Sequence, residues 1–213
     1  MSAEPGHAAT DVKVWDPLVR IFHWSLVIAF ATAYLTGDEE SAVHEWFGYV
    51  VLGQIAFRVL WGFIGTRHAR FADFVHRPGT VLGYAREFIT GRARRYLGHN
   101  PLGGMMILAL LLSLTVTGVT GWQLGQAATA EQAAVSGPAL TALLPIAPAY
   151  ADDDDEDDEH EGNGGGEWLE ETHELFANLT VLLVILHIAG VLAGSLIYRE
   201  NLVRAMFTGR KSV

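Results

Sequence analysis

The chain has 213 residues, half of them hydrophobic and only 18% charged, with no cysteine, nine histidines and a formal net charge of −10. Without cysteine there is no disulfide, no thiolate-held zinc or iron–sulfur cluster and no covalent haem attachment through C-x-x-C-H, so any metal must be held by His, carboxylate or Met. The acidity is local: residues 152–158 with Glu159 and Glu161 supply nine of the 24 acids, and the rest of the chain is nearly neutral.

Residues 1–16 are mostly polar and carry no small-residue cleavage pattern ahead of the first apolar stretch, which makes them a cytoplasmic N-terminal segment rather than a secretory signal. Four stretches nearly free of charge follow, at about 17–37, 46–65, 102–124 and 175–198. Each is long enough to cross a hydrocarbon core of about 30 Å at ~1.5 Å per residue. The expected fold is therefore all-α and integral to a membrane. It is a four-transmembrane-helix bundle over 17–204, followed by a cytoplasmic tail at 205–213.

The connections orient it. Lys13 and Arg20 lie before or at the start of the first span. Arg67, Arg70, Arg77, Arg86, Arg92, Arg94 and Arg95 lie between the second and third, and Arg199, Arg204, Arg210 and Lys211 lie after the fourth. Segments 37–45 and 125–174 contain neither Lys nor Arg. By the positive-inside rule both termini and the 66–101 connection are cytoplasmic, and 125–174 is an outer, periplasmic loop. Within 66–101, Val81, Leu82, Tyr84, Ala85, Phe88 and Ile89 alternate with charged residues as in a short amphipathic helix. It is read either as a surface-lying element or as an ordinary loop helix. The acidic run in the outer loop is either a solvated insert or a docking surface for a basic partner.

Four of the nine histidines sit in or at the ends of apolar stretches, where an ionisable group is expensive and marks function by default. With the spans oriented, His23 lies in the inner half of the first and His44 at the outer end of the second. His173 lies at the outer end of the fourth, with His187 fourteen residues deeper. Fourteen residues at ~100° each end about 40° short of four turns, so both imidazoles of the fourth span share one face, roughly 21 Å apart along the axis.

The set thus sorts into an outer pair, His44 with His173, and an inner pair, His23 with His187. Two-histidine levels suit haem iron, whose macrocycle supplies four nitrogens, better than a bare metal wanting three or four protein ligands. Interhelical hydrogen bonding or a proton relay is the competing explanation. Gly48, Gly53, Gly118, Gly121, Gly190 and Gly194 would admit either a planar cofactor or a close helix. Arg20 and Arg58 are the basic groups nearest the inner level, and Arg58 lies well inside a span. A haem propionate would pair it, and a lipid phosphate reached by snorkelling is the alternative.

The segments VKVWDPLVRIFHW (12–24), HEWFGY (44–49), RVLWGF (58–63), RHARFADFV (67–75) and GHNPLG (98–103), with the two-histidine fourth span, closely resemble the prokaryotic cytochrome b561 family. Within it, the likeness is to the b-type cytochrome subunit of Ni/Fe-hydrogenase and related di-haem cytochrome b proteins. It extends from residue 12 to about 204, apart from the insert at 127–166, which is longer and more acidic than the family pattern.

The resemblance implies two non-covalent b haems, with His23, His44, His173 and His187 matching the axial ligands. It implies electron transfer between the quinone pool and a periplasmic redox partner, either a hydrogenase or a c-type cytochrome. An electron-transfer subunit is expected rather than a stand-alone enzyme, with a superoxide:quinone oxidoreductase as the alternative. Lipid and quinone or quinol are the other expected partners and nucleic acid is not; a resident quinone and a homodimer are left open.

Overall fold

The computed structural model describes residues 11–37, 41–135 and 164–212. The acidic run at 152–161 lies outside the described residues. A short strand β1 (Asp11–Lys13) leads into α1 (Pro17–Leu35) and α2 (Ala42–Ile64). A 3₁₀ turn (Arg67–Ala69), α3 (Phe71–Phe74) and α4 (Pro78–Ile89) precede the long helices α5 (Pro101–Val135) and α6 (Gly164–Ile197), and α7 (Leu202–Thr208) and β2 (Arg210–Ser212) close the chain. The amphipathic pattern at 81–89 is thus α4; it buries Tyr84 and exposes Leu82 and Ile89.

Four of these helices are long and apolar enough to cross a membrane, over Pro17–Leu35, Ala42–Ile64, Pro101–Ala130 and Gly166–Ile197. Only 11–22% of the residues in their apolar windows are buried inside the protein. Ile21, Ile28, Leu60 and Leu196 are each more than 60% exposed, which water would penalise and lipid would not. The chain is a multi-pass membrane protein.

Helices α5 and α6 run further than the apolar stretches alone predict. At the far end of α5 the run from Gln126 to Val135 is rich in alanine, the strongest helix former, so a helix already nucleated in lipid propagates into it. At the start of α6, Glu167 in the first turn sits where negative charge complements the helix dipole.

Local chemistry sets the other ends. Asp16 caps α1 by accepting from the Val19 amide at 2.9 Å, and Pro17 occupies the first turn where its missing N–H costs nothing. The same carboxylate accepts from Trp61 Nε1 (3.4 Å) and the Thr66 hydroxyl, tying the start of α1 to the end of α2. Partial burial pushes the Asp16 carboxyl up, but the bonds from Thr66, Val19, Trp61 and Leu18 outweigh it and hold the carboxyl below its ordinary range. Asn100 caps α5 by accepting from the Gly103 amide at 2.7 Å. Gly209, at φ +77°, ends α7 in the left-handed region and turns the chain so that β2 pairs antiparallel with β1. Its carbonyl accepts from the amides of Val14 and Trp15, which clasps the two ends of the described chain together at one end of the bundle.

Close packing joins α1 to α2, α2 to α5 and α5 to α6, whereas α6 meets α1 and α2 only sparsely. An apolar core of Ala29, Val51, Ile55, Leu111 and Leu114 fills the α1–α2–α5 side. Between α5 and α6 the Ser113 hydroxyl pairs with that of Thr180 at 2.8 Å, both buried. The bundle therefore has one filled side and one open side, the latter between α6 and the α1–α2 pair.

Candidate functional site

The open side is where the four apolar-segment histidines meet. The His23 ring of α1 faces that of His187 on α6 with centroids 6.4 Å apart, and the His44 ring of α2 faces that of His173 on α6 with centroids 6.0 Å apart. Two imidazoles placed trans on one metal, each bonded through nitrogen at about 2.0–2.1 Å, have centroids roughly 6 Å apart. Direct hydrogen bonding between rings would need nitrogens within about 3.2 Å, and no such bond joins either pair among the described residues. Each pair is thus spaced for an atom between its rings. No group of three or more His, Cys, Asp or Glu able to hold a bare metal ion occurs among the described residues. A macrocycle that brings its own nitrogens needs no third protein ligand.

Tautomers follow from the surroundings. His44 Nδ1 lies 2.9 Å from the Ala33 carbonyl, and His173 Nδ1 lies 2.9 Å from the Thr117 carbonyl. A carbonyl only accepts, so Nδ1 carries the proton in both rings and Nε2 keeps a lone pair free for a metal. The Nδ1 of His23, by contrast, is buried without a partner.

Glycines shape the acidic-end pair. A Cβ on Gly121 of α5 would lie 2.8 Å from His173 Cε1 and 3.1 Å from its Nδ1, so only glycine lets that ring lie against α5. Gly48, one turn below His44, has nothing within 4 Å of an added Cβ, which leaves open space beside the ring on its own helix face. Gly118 and Gly194 instead abut Leu52 and Leu202, as helix packing would have it. Gly53 and Gly190 border open space.

The two ends differ in charge. Every Lys and Arg other than Arg58 belongs to segments at the end that carries the clasp, α3, α4 and α7. The opposite end exposes Glu167, Glu170, Glu171 and Glu174. His23 and His187 are nearer the basic end, and His44 and His173 nearer the acidic one.

Arg58 lies fourteen residues beyond His44 on α2, the same offset that separates the two α6 histidines, so it falls on the His44 face at the basic-end level. It is 4% exposed, its Nη1 has no partner, and its guanidinium lies over the rings of Phe71 (5.5 Å) and Phe74 (5.6 Å). Arg20 donates from Nη1 to the Phe207 carbonyl, anchoring α7, while its Nε is buried and unpartnered.

His99, in the GHNPLG segment ahead of the third span, is neither a solvated imidazole nor the cap of that span. Asn100 does the capping. The His99 ring lies between Trp15 (4.5 Å) and Phe74 (5.1 Å), and its Nδ1 is buried with no partner. Burial, with the charges of Arg58 and Lys211 close by, pushes its pKa down to about 3, so the ring is neutral. Its place directly ahead of the Asn100–Pro101 helix start, which faces the bundle interior, was the available signal. His68 and His76 are ordinary by comparison: the first pairs with Asp73 at 2.9 Å, and the second holds the Phe74 carbonyl at 2.8 Å.

A family model described as "Prokaryotic cytochrome b561" matches residues 14–209. Among curated proteins, the chain is 24% identical over 234 residues to a "Probable Ni/Fe-hydrogenase B-type cytochrome subunit" of Rhodobacter capsulatus, covering 95% of this chain and 82% of that protein. Proteins with the same description from Azotobacter vinelandii and Bradyrhizobium diazoefficiens are 29% and 30% identical, over 54% and 58% of this chain and 60% and 61% of their own lengths. No solved structure gives a significant match.

Proposed function

This chain belongs to the prokaryotic cytochrome b561 family, and we propose that it is a di-haem membrane cytochrome passing electrons between a redox protein at its acidic end and the quinone pool. Family membership implies b-type haem and electron transfer. His44 with His173 would hold one haem through Nε2, and His23 with His187 the other; Arg20 and Arg58 are the basic groups available to acidic side arms at the second level. The observation that carries the reading is the pair of imidazole ring-centre spacings, 6.0 and 6.4 Å, on the open side of the bundle.

Bound haem supplies a one-electron couple. The protein's part is to fix ligand tautomers through Ala33 and Thr117, and to keep both centres in an apolar shell reached from the lipid, where a quinone diffuses. The clustering of Lys and Arg supports placing the basic end and both termini in the cytoplasm, in an inner membrane. The relatives' description as hydrogenase subunits supports a hydrogenase as electron donor at the acidic end. The exposed glutamates there would steer a basic surface toward it.

The test is a reduced-minus-oxidised spectrum of the full chain in detergent, with quinol as the reductant. A low-spin b-type signal at two haems per chain, with at least one reduced by quinol, is expected; a colourless protein overturns the reading. A finer expectation concerns Gly121→Ala. The added methyl displaces the His173 ring and breaks its bond to Thr117, costing about 1–3 kcal/mol. Thermal unfolding should shift downward, with the spectral change confined to the acidic-end haem.

A further inference from the structure

The basic end of the bundle buries more positive charge than it balances. Arg58 is nine-tenths buried or more, makes no ion pair among the described residues and leaves Nη1 without a partner. Lys211 is also buried, 5.8 Å from the Trp15 ring centre, with its ammonium on the Tyr96 carbonyl at 3.5 Å. Burial pushes its pKa down, although Glu200 nearby works against this. None of the region's carboxylates hydrogen-bonds to Arg58: Asp16, the one whose charge reaches it, accepts from Val19, Trp61 and Thr66, Asp73 pairs with His68 at 2.9 Å, and Glu200 pairs with Arg95 at 3.2 Å while its Oε1 is buried without a partner. An unpaired buried guanidinium is among the costliest groups a protein can carry, so an anion outside the chain is called for.

His99 stands beside it. Arg58 and His99 flank the same ring, Phe74, at 5.6 and 5.1 Å, and both leave a buried nitrogen unused. The rings of Trp15, Phe71 and Phe74 surround the two groups, and a charge-assisted bond in such apolar surroundings is stronger than one in water. We propose that Arg58 and His99 together form a carboxylate pocket that takes an acidic side arm of the cofactor at the His23–His187 level. This rests on the haem reading above and adds His99 as a positioning residue. A lipid phosphate offers related anionic chemistry, but the aromatic walls and the depth of Arg58 in α2 favour a group delivered from inside the bundle.

The experiment compares haem b with its dimethyl ester, added to the full chain prepared without haem, in detergent with and without anionic-lipid vesicles. A His173→Ala background isolates the basic-end level, and bis-imidazole absorbance is the readout. Haem b is expected to bind roughly tenfold to a hundredfold more tightly than the ester. That preference should collapse in Arg58→Gln and His99→Leu, whose ester binding stays near that of the background. Arg58→Lys and His99→Gln, which keep a donor, should retain part of it and guard against a folding defect. An acid-over-ester ratio unchanged in the Gln and Leu variants overturns the pocket. So does a ratio that vanishes when anionic lipid is added, since the lipid then owns the site. Failure of either haem to give a bis-imidazole spectrum in the background would instead overturn the haem reading itself.

Discussion

Replacing His187 with alanine is expected to cost the protein one of the two proposed haems and leave the other in place. The two histidine pairs lie about 21 Å apart along α6, beyond the range at which separate sites perturb one another. They share no second helix either, because α1 supplies His23 and α2 supplies His44. Loss of one imidazole leaves its partner a single-sided ligand, so low-spin absorbance should fall by about half in His187→Ala. His44→Ala should remove the complementary half, and the double variant nearly all. Pyridine extraction of the purified protein counts the haem, and the low-spin band shows whether the remaining centre is still bis-imidazole. If His187→Ala and His173→Ala removed the same component, the pairing by level would be wrong.

The pairing could be anticipated because it depends on counting. Span direction follows from where Lys and Arg fall, and depth from ~1.5 Å per residue, so His23, His44, His173 and His187 sort into two levels from the sequence alone. Tertiary packing then had little freedom, since four helices that each cross the lipid can only pack side by side.

Features that depend on long-range contact were not legible. Nothing in the sequence around His44 says that its Nδ1 would find the Ala33 carbonyl eleven residues back on another helix. The clasp of β1 on β2 joins segments nearly two hundred residues apart, and three-residue strands carry no periodicity to read. His99 is illegible for the same reason. Composition placed it in a polar connection, whereas its burial comes from Trp15 and Phe74, neither of which neighbours it in sequence. The extension of α5 into the connection read as an outer loop is a milder case: the absence of apolar periodicity suggested loop, but alanine needs no buried face to continue a helix.

The two levels are also expected to differ in reduction potential, with the His23–His187 haem the more readily reduced. At the acidic end both proposed ligands, His44 and His173, donate Nδ1–H to backbone carbonyls at 2.9 Å, which would make the imidazoles stronger electron donors and favour ferric iron. At the basic end His23 has no acceptor for its Nδ1, and the buried guanidinium of Arg58 stands at the same level, favouring the state with one more electron. The carboxylate proposed for the Arg58–His99 pocket offsets part of that charge, so the ligand hydrogen bonds carry much of the ordering. Each effect is a fraction of a charge interaction in a low-dielectric site. A separation on the order of 60 mV or more is expected, a tenfold change in a one-electron equilibrium being about 59 mV. A potentiometric titration should resolve two components, with only the lower surviving in His187→Ala and only the higher in His44→Ala. Arg58→Gln should lower the upper component alone, because it strips the cation and leaves the carboxylate uncompensated. A reversed assignment would mean that electrons run downhill toward the acidic end; the expected order carries them from a partner at the acidic end toward the basic end, with the donor and acceptor sides fixed by two backbone carbonyls and one arginine.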